Sequence, residues 1–290
     1  MDEKPPTGAN ASGCALCLHS PAACGIVTWS KLERATSCRY RVIQASNIDY
    51  EQTARDYAAH RRIHRGVFQV LCDRGRLGPG SIVLEVGCGT GNYARALVQR
   101  TGCHAHGLDP SVAMLTHARA SSESVGWLWG RAEQIGFADD TFDLIFSVDV
   151  IHHVTDKAAL YAGVARTLKP GGQVCTVTDS ADIIRRREAL SGYFPETVEW
   201  EFARYPRVAQ LEAWMTSAGL AGVDVVVVEE PYEITSAQRF RDKAYSSLHL
   251  ISEKAWRAGL QRLERDLACG PVHGVSRYAC VWGRKPQAWP

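Results

Sequence analysis

The sequence predicts an α/β fold: a doubly wound, mostly parallel seven-stranded sheet with an antiparallel last strand and helical cap insertions. Three observations predict it. Short apolar runs alternate with helical patterns from Ser81 to Thr178. A glycine-rich turn, Glu85-Val86-Gly87-Cys88-Gly89-Thr90-Gly91, stands between the first such run and the first helix after it. Two longer stretches, about 180–206 and 231–270, break the alternation. Strands that alternate with helices imply right-handed crossovers and a parallel sheet covered on both faces.

The elements follow in order. Residues 1–46 are rich in Gly, Ala, Ser, Pro and Cys without a sustained period, and are read as a Cys-containing extension ahead of a main domain over 47–290. A helical pattern runs from Tyr50 to His64. Ile82 to Val86 is the first strand and Tyr93 to Val98 has helical character; His104 to Leu108, Val112 to Ala120 and Gly126 to Trp129 repeat the unit. Phe142 to Val148 is a fourth strand and Lys157 to Leu168 a helix, which Lys169-Pro170-Gly171-Gly172 breaks before strand Gln173 to Thr178. Val208 to Ala218 is amphipathic, and Val223 to Val228 and Tyr278 to Trp282 are two last strands able to form a hairpin edge. The two irregular stretches, the second largely helical in pattern, leave the sheet where ligands of open α/β sheets bind, which makes them a candidate substrate cap.

Composition narrows the function classes. Hydrophobic residues make up 46% and charged residues 22% of the 290, the balance of an ordinary globular protein. A formal net charge of +2 gives no strong field toward nucleic acid, so a nucleic-acid partner is disfavoured. The chain opens without a signal-peptide pattern and has no apolar run near the roughly 20 residues that span a bilayer, so a cytoplasmic protein without a membrane partner is expected. Ten cysteines spread over this length are expected to be reduced, with Cys72, Cys88, Cys103 and Cys175 as small buried thiols.

Glycines at alternate positions let the backbone turn sharply and approach a ligand closely. Their place between strand and helix, with Asp109 ending the next strand 18 residues after Gly91, strengthens that reading. A dinucleotide fingerprint spaces its last glycine differently and cradles an anionic pyrophosphate. Here the spacing is G-x-G-x-G, and Glu85 at the loop's mouth suits a ligand carrying an ammonium and a sulfonium.

The segment Glu85 to Gly91 resembles motif I of class I S-adenosylmethionine-dependent methyltransferases, which have a Rossmann-like fold, and Gly107-Leu108-Asp109-Pro110-Ser111 resembles their second motif. Gly130-Arg131-Ala132-Glu133 with Phe137, Phe142 to Ile145 with Val150-Ile151-His152-His153, and Leu168 to Gly172 resemble later motifs; the likeness covers about 50–178 and is closest to the type 11 group. The resemblance implies S-adenosyl-L-methionine as cofactor and S-adenosyl-L-homocysteine as product. It places Gly87, Cys88, Gly89 and Gly91 along the methionine and ribose, Glu85 toward the amino acid part, and Asp109 on the ribose hydroxyls. Met114 and Ala132 are placed at adenine, Ser147 and Val148 near the methyl group, and Tyr50 and Tyr57 over the cofactor. Many relatives are acidic where this chain has Arg131, which cannot accept a hydrogen bond; Glu133 or a backbone carbonyl substitutes.

The expected function is transfer of a methyl group to a small-molecule acceptor by in-line displacement. The protein has mainly to align the acceptor and exclude water. His152 and His153, at the carboxyl end of the fourth strand, are candidates for a general base. In the cap, Tyr193, Tyr205, Arg239 and Tyr245 are candidate substrate residues, aromatics to enclose a flat acceptor and arginines to clamp an anion. Phe194, Trp200, Tyr232 and His249, with Arg185, Arg186, Arg187 and Arg241, accompany them. Cys14 and Cys17 are spaced C-x2-C with Cys24 near, but the second pair that a zinc site needs is missing, so no metal is assigned. Two alternatives stay open: an RNA or transfer-RNA methyltransferase, which the 150–153 stretch resembles, and a metalloid methyltransferase using the cysteine thiols. The sequence leaves the oligomeric state open.

Overall fold

The computed structural model of the chain describes residues 27–28 and 62–287. The N-terminal cysteines Cys14, Cys17 and Cys24, the two tyrosines Tyr50 and Tyr57, and most of the extension lie outside the described residues. One sheet runs through the molecule. Its strands are β1 (Val27–Thr28), β2 (Ile82–Val86), β3 (His104–Asp109), β4 (Val125–Trp129), β5 (Phe142–Val148), β6 (Leu168–Thr178), β7 (Ala221–Ile234) and β8 (Val272–Arg284). Their spatial order is β1-β4-β3-β2-β5-β6-β8-β7. Strands β2 to β6 pair in parallel, and β8 runs antiparallel between β6 and β7. The order reverses at β2, so the crevice outside the carboxyl ends of β2 and β5 is the topological switch point where such sheets bind ligands. The doubly wound sheet with its antiparallel last strand is as expected; the two-residue β1, antiparallel on β4, is an addition.

Helices cover both faces because each strand is apolar on both sides. On one face α1 (Arg65–Gly75) and α2 (Asn92–Thr101) pack with α3 (Val112–Ser121) over Val83, Leu144, Phe146, Cys175 and Trp282. On the other, α4 (Lys157–Thr167) and α8 (Val208–Ser217) cover Leu84, Val86, Ile145, Val174 and Val281. Helix α1 was not foreseen. Its N-cap is His64, whose Nδ1 accepts from Val67 N–H at 3.2 Å, and histidine is outside the usual capping set. Cys88, Cys103 and Cys175 are buried free thiols as expected, while Cys72 is only partly buried.

The cap is built from α5 (Ala181–Arg185), α6 (Leu190–Tyr193) and α7 (Thr197–Arg204) after β6, and from α9 (Gln238–Arg241) and α10 (Glu253–Cys269) between β7 and β8. The expectation of a largely helical 231–270 needs one correction. Pro231–Ile234 continue β7, paired with Val272–Val275, so the last two strands are 14 and 13 residues long. An edge strand tolerates a proline, and β7 is an edge. A third small core holds the cap: Phe194 and Phe240 stack at 5.7 Å, with Leu248, Ile251 and Leu263 around them.

In that core Gly259 of α10 lies against Phe194 so closely that a Cβ would fall 2.4 Å from the ring. Gly259→Ala should therefore destabilise the cap by about 1–3 kcal/mol. Hydrogen exchange should speed up in 190–194 and 253–269 while β2 and β5 stay protected; uniform loss of protection would contradict a separate cap core.

Candidate active site

The glycine loop is held from below by the neighbouring strand. Gly87 N–H and Cys88 N–H both donate to Leu108 O, at 2.7 and 3.1 Å, and Gly91 N–H donates to Cys88 O at 2.8 Å. All three glycines have positive φ, +69°, +52° and +75°. Beyond the backbone angle, a Cβ on Gly91 would lie 2.0 Å from the ring of Trp127 and one on Gly87 would lie 2.4 Å from Val150. Trp127, which the sequence did not single out, is the floor on which the loop rests.

Asp109 joins the loop to the end of β3. Its Oδ2 accepts from Gly89 N–H at 2.8 Å and its Oδ1 from Ser111 N–H at 2.9 Å. Ser111 in turn caps α3, accepting from Met114 N–H at 3.2 Å, and Met114 is buried. Glu85 is buried beneath the loop, and its Oε2 accepts from Ala94 N–H at the start of α2 at 2.9 Å. Burial pushes its carboxyl up to about 8, with Asp109 adding to the rise and the Ala94 N–H opposing it. Burial also raises the Cys88 thiol, which stays protonated.

The segment 131–133 is drawn together by its own ion pair. Arg131 Nε lies 3.3 Å from Glu133 Oε2, and Glu133 Oε1 accepts from Thr155 N–H at 2.9 Å. Burial works to raise the Glu133 carboxyl, but these hydrogen bonds and Arg131 hold it below the usual range. Ala132 is partly buried beside this pair, packed on the core of the α4 face. Ser147, at the end of β5, is buried.

Past β5 the chain turns through Asp149 and a single 3-10 turn, Ile151–His153. Asp149 sits at φ +58°, uncommon for a non-glycine residue, where its N–H donates to Val177 O at 3.0 Å and its Oδ2 accepts from Tyr278 at 2.8 Å. The His152 ring stacks on Tyr205 at 4.1 Å and 26°, with His153 3.9 Å away. Tyr205 directly follows α7, so the cap is folded onto the histidine turn.

Behind Tyr205 lies a buried ionic series absent from the sequence reading except for Arg187. Arg187 pairs with Asp179 at the end of β6 and lies 3.4 Å from Glu201 of α7, and its guanidinium is over the Tyr205 ring at 5.9 Å. Burial pushes Asp179 up; Arg187 opposes this and Asp149 adds to it. The Tyr205 hydroxyl is raised well above its usual range by burial and by Asp149, Asp179 and Glu201, so it remains a donor.

The other cap candidates lie elsewhere. Tyr193 donates to Asp266 at 2.6 Å and lines an open cleft of about 460 Å3 with Arg262 and Arg265. Arg239 stands over Tyr245 at 5.2 Å, and Tyr245 packs on Phe240 in the cap core. Arg186 pairs with Asp182, Arg241 with Glu264, and Trp200 is exposed. Of the four substrate candidates, only Tyr205 is brought against the histidines. Among the described residues no cluster of three or more His, Cys, Asp or Glu could hold a metal, and no helix is long and apolar enough to cross a membrane.

Comparison with known proteins finds similar domains. Residues 84–176 match the type 11 family described as a methyltransferase domain. The ubiquinone biosynthesis O-methyltransferase of Rhizobium leguminosarum bv. trifolii is 30% identical over 156 residues, which are 50% of this chain and 61% of that protein. The phosphoethanolamine N-methyltransferase 2 of Caenorhabditis elegans is 36% identical over 101 residues, 33% of this chain and 23% of that one. The chain thus spans less than two thirds of the length of these relatives. Among solved structures, phosphoethanolamine N-methyltransferase 2 of Haemonchus contortus, in complex with phosphomonomethylethanolamine and S-adenosylhomocysteine, shares the fold. Its TM-score is 0.56 at 22% identity, over 82% of this chain and 59% of that one.

The double use of Asp109 has a measurable cost. Asp109→Ala leaves Gly89 and Ser111 N–H without their acceptor and should lower stability by about 1–3 kcal/mol. Asp109→Asn, which keeps one oxygen, should lose less. The check is the urea midpoint at unchanged slope, and equal midpoints for all three proteins would show that the carboxylate does not hold the loop.

Proposed function

We propose that this chain, whose residues 84–176 match a methyltransferase domain of the type 11 family, is a class I S-adenosylmethionine-dependent methyltransferase that moves the methyl of S-adenosyl-L-methionine to a small-molecule acceptor by in-line displacement. The observation that carries it is the loop of three left-handed glycines whose centre, Gly89, is held by the Asp109 carboxylate at the sheet's switch point. The donor set fits this cofactor. The 85–91 turn contains no lysine or arginine, and two buried carboxylates, Glu85 and Asp109, flank it. A carboxyl-lined loop without a cation disfavours a pyrophosphate and suits a ligand bearing an ammonium, a sulfonium and ribose hydroxyls.

Bound there, the cofactor supplies an electrophilic methyl carbon; the acceptor's lone pair forms the new bond as the bond to sulfur breaks and sulfur leaves as a neutral thioether. The chain's part is to orient and exclude water. Asp109 takes the ribose hydroxyls, Glu85 faces the amino acid part, and Met114, Ala132 and Glu133 border the adenine. Ser147 lines the cofactor near the methyl. His152 takes the acceptor's proton where the acceptor is a hydroxyl or an ammonium, with Tyr205 fixing its ring plane and His153 beside it. Relatives with similar domains are named for O- and N-methylation of small molecules, in keeping with a small acceptor.

Labelled methyl from S-adenosylmethionine, incubated with a host-cell extract, should enter the small-molecule fraction. Gly89→Asp should lose cofactor binding, and His152→Gln should lose turnover while keeping affinity for S-adenosylhomocysteine; label confined to RNA or protein would overturn the acceptor class. In addition, a cofactor ammonium near Glu85 must pull its raised carboxyl back down. Binding then releases a proton below about pH 8, and affinity rises with pH up to that value. Calorimetry in buffers of different ionisation enthalpy should find this proton in the wild type and not in Glu85→Gln; identical proton counts would remove Glu85 from the cofactor site.

A further inference from the structure

The buried ionic series behind Tyr205 ends on a guanidinium that is not fully used. Asp179, Arg187, Glu201 and Arg204 alternate in sign, and the two carboxylates have side chains only 7% and 5% exposed. Arg187 is shared between Asp179 and Glu201. Arg204 is held loosely: its Nη1 is 4.0 Å from Glu201 Oε1 and donates to Ser246 Oγ at 3.1 Å. Its Nη2 is buried and has no hydrogen-bond partner among the described residues, as is true of Glu201 Oε2 in the same series and of Oγ of Ser247, a residue 1% exposed.

Two unused buried donors at one junction are costly. Each unmade hydrogen bond costs on the order of 1–3 kcal/mol and more for a charged group, and folded proteins leave few such groups. Both donors belong to the contact between α7 and the one-turn helix Ser246–His249 that the Arg204–Ser246 bond ties together. Arginine's planar fork is suited to a group with two oxygens, whether carboxylate or phosphate. The next residue after Arg204 is Tyr205, whose ring lies on His152.

We propose that the junction of α7 with the 246–249 turn is a subsite for an oxyanion carried by the methyl acceptor, bound by Arg204 Nη2 and Ser247 Oγ. The acceptor then reaches from this anchor past Tyr205 to the His152 turn. This rests on the methyltransferase reading for the acceptor's presence, but the subsite itself does not need the cofactor to be seen. It also sorts acceptors, because a neutral isostere would leave the two donors unpaired, and such a site rejects the analogue that lacks its partner group.

The test is calorimetric titration of the full chain with inorganic phosphate and, separately, with malonate at constant ionic strength, each with and without S-adenosylhomocysteine. At least one oxyanion should saturate the wild type, and the saturating arm tells phosphate from carboxylate. Arg204→Gln and Ser247→Ala should each weaken that binding tenfold or more, Arg204→Lys should weaken it less, and none should change S-adenosylhomocysteine affinity more than twofold. No saturation by either anion would overturn the subsite, as would anion affinity unchanged in Ser247→Ala, a variant that removes one buried oxygen and keeps the fold. Lower thermal stability in the variants with unaltered anion binding would assign the series a structural role and also overturn it. Loss of the methyltransferase reading would look different: S-adenosylhomocysteine would fail to bind while the oxyanion still did.

Discussion

One carboxylate carries the architecture of the ligand crevice. Asp109 ends β3, and from there it fixes the loop that ends β2 and the cap of the helix that follows β3. Three left-handed residues in a row of five would otherwise be a flexible hinge, since glycine loses more freedom on ordering than any other residue. With Gly89 tethered by its N–H, Gly87 and Cys88 bonded to Leu108 O, and Trp127 packed beneath Gly91, the loop has one shape before any ligand arrives. Preorganisation of this kind lowers the cost of binding, because the ordering is done on folding.

The opposite wall of the crevice follows another rule. Where the glycine-loop side relies on backbone and two carboxyls, the cap side relies on buried ions paired across elements: Asp179 from the end of β6, Arg187 from the loop after α5, Glu201 and Arg204 from α7. Such pairs add little net stability over well-packed apolar residues, but removing one partner strands the other. The series therefore fixes where α7 sits, and through Tyr205 it fixes the face of His152.

The two walls were unequally legible in the sequence. β5 was read to the residue, and the glycine loop and Asp109 announced themselves, because local periodicity and backbone demands are written in neighbouring residues. β7 was ended too early: Glu229 to Ile234 alternate as an edge strand does, but Pro231 masks the pattern when the pairing partner, 272–277, lies some forty residues away. Helix α1 was missed because histidine rarely caps a helix, although Val67 and Leu71, four apart and fully buried, carried the signal. The ionic series was invisible for a different reason. Glu201 and Arg204 on a short helix look like a solvated face, and only tertiary contact tells a buried charge from an exposed one. A signal for Asp149 and Asp179 did exist, since both are acidic residues directly following strands that end at the ligand side of the sheet.

The match to the methyltransferase domain family ends at residue 176, just short of Asp179, and every cap element lies beyond it. Both excursions that build the cap start from strands that are complete without them, one after β6 and one inside the β7–β8 hairpin. Either insertion can therefore change in length or sequence without breaking a pairing among β2 to β6, so the wall facing the glycine loop is mechanically separable from the loop and the strands that hold it.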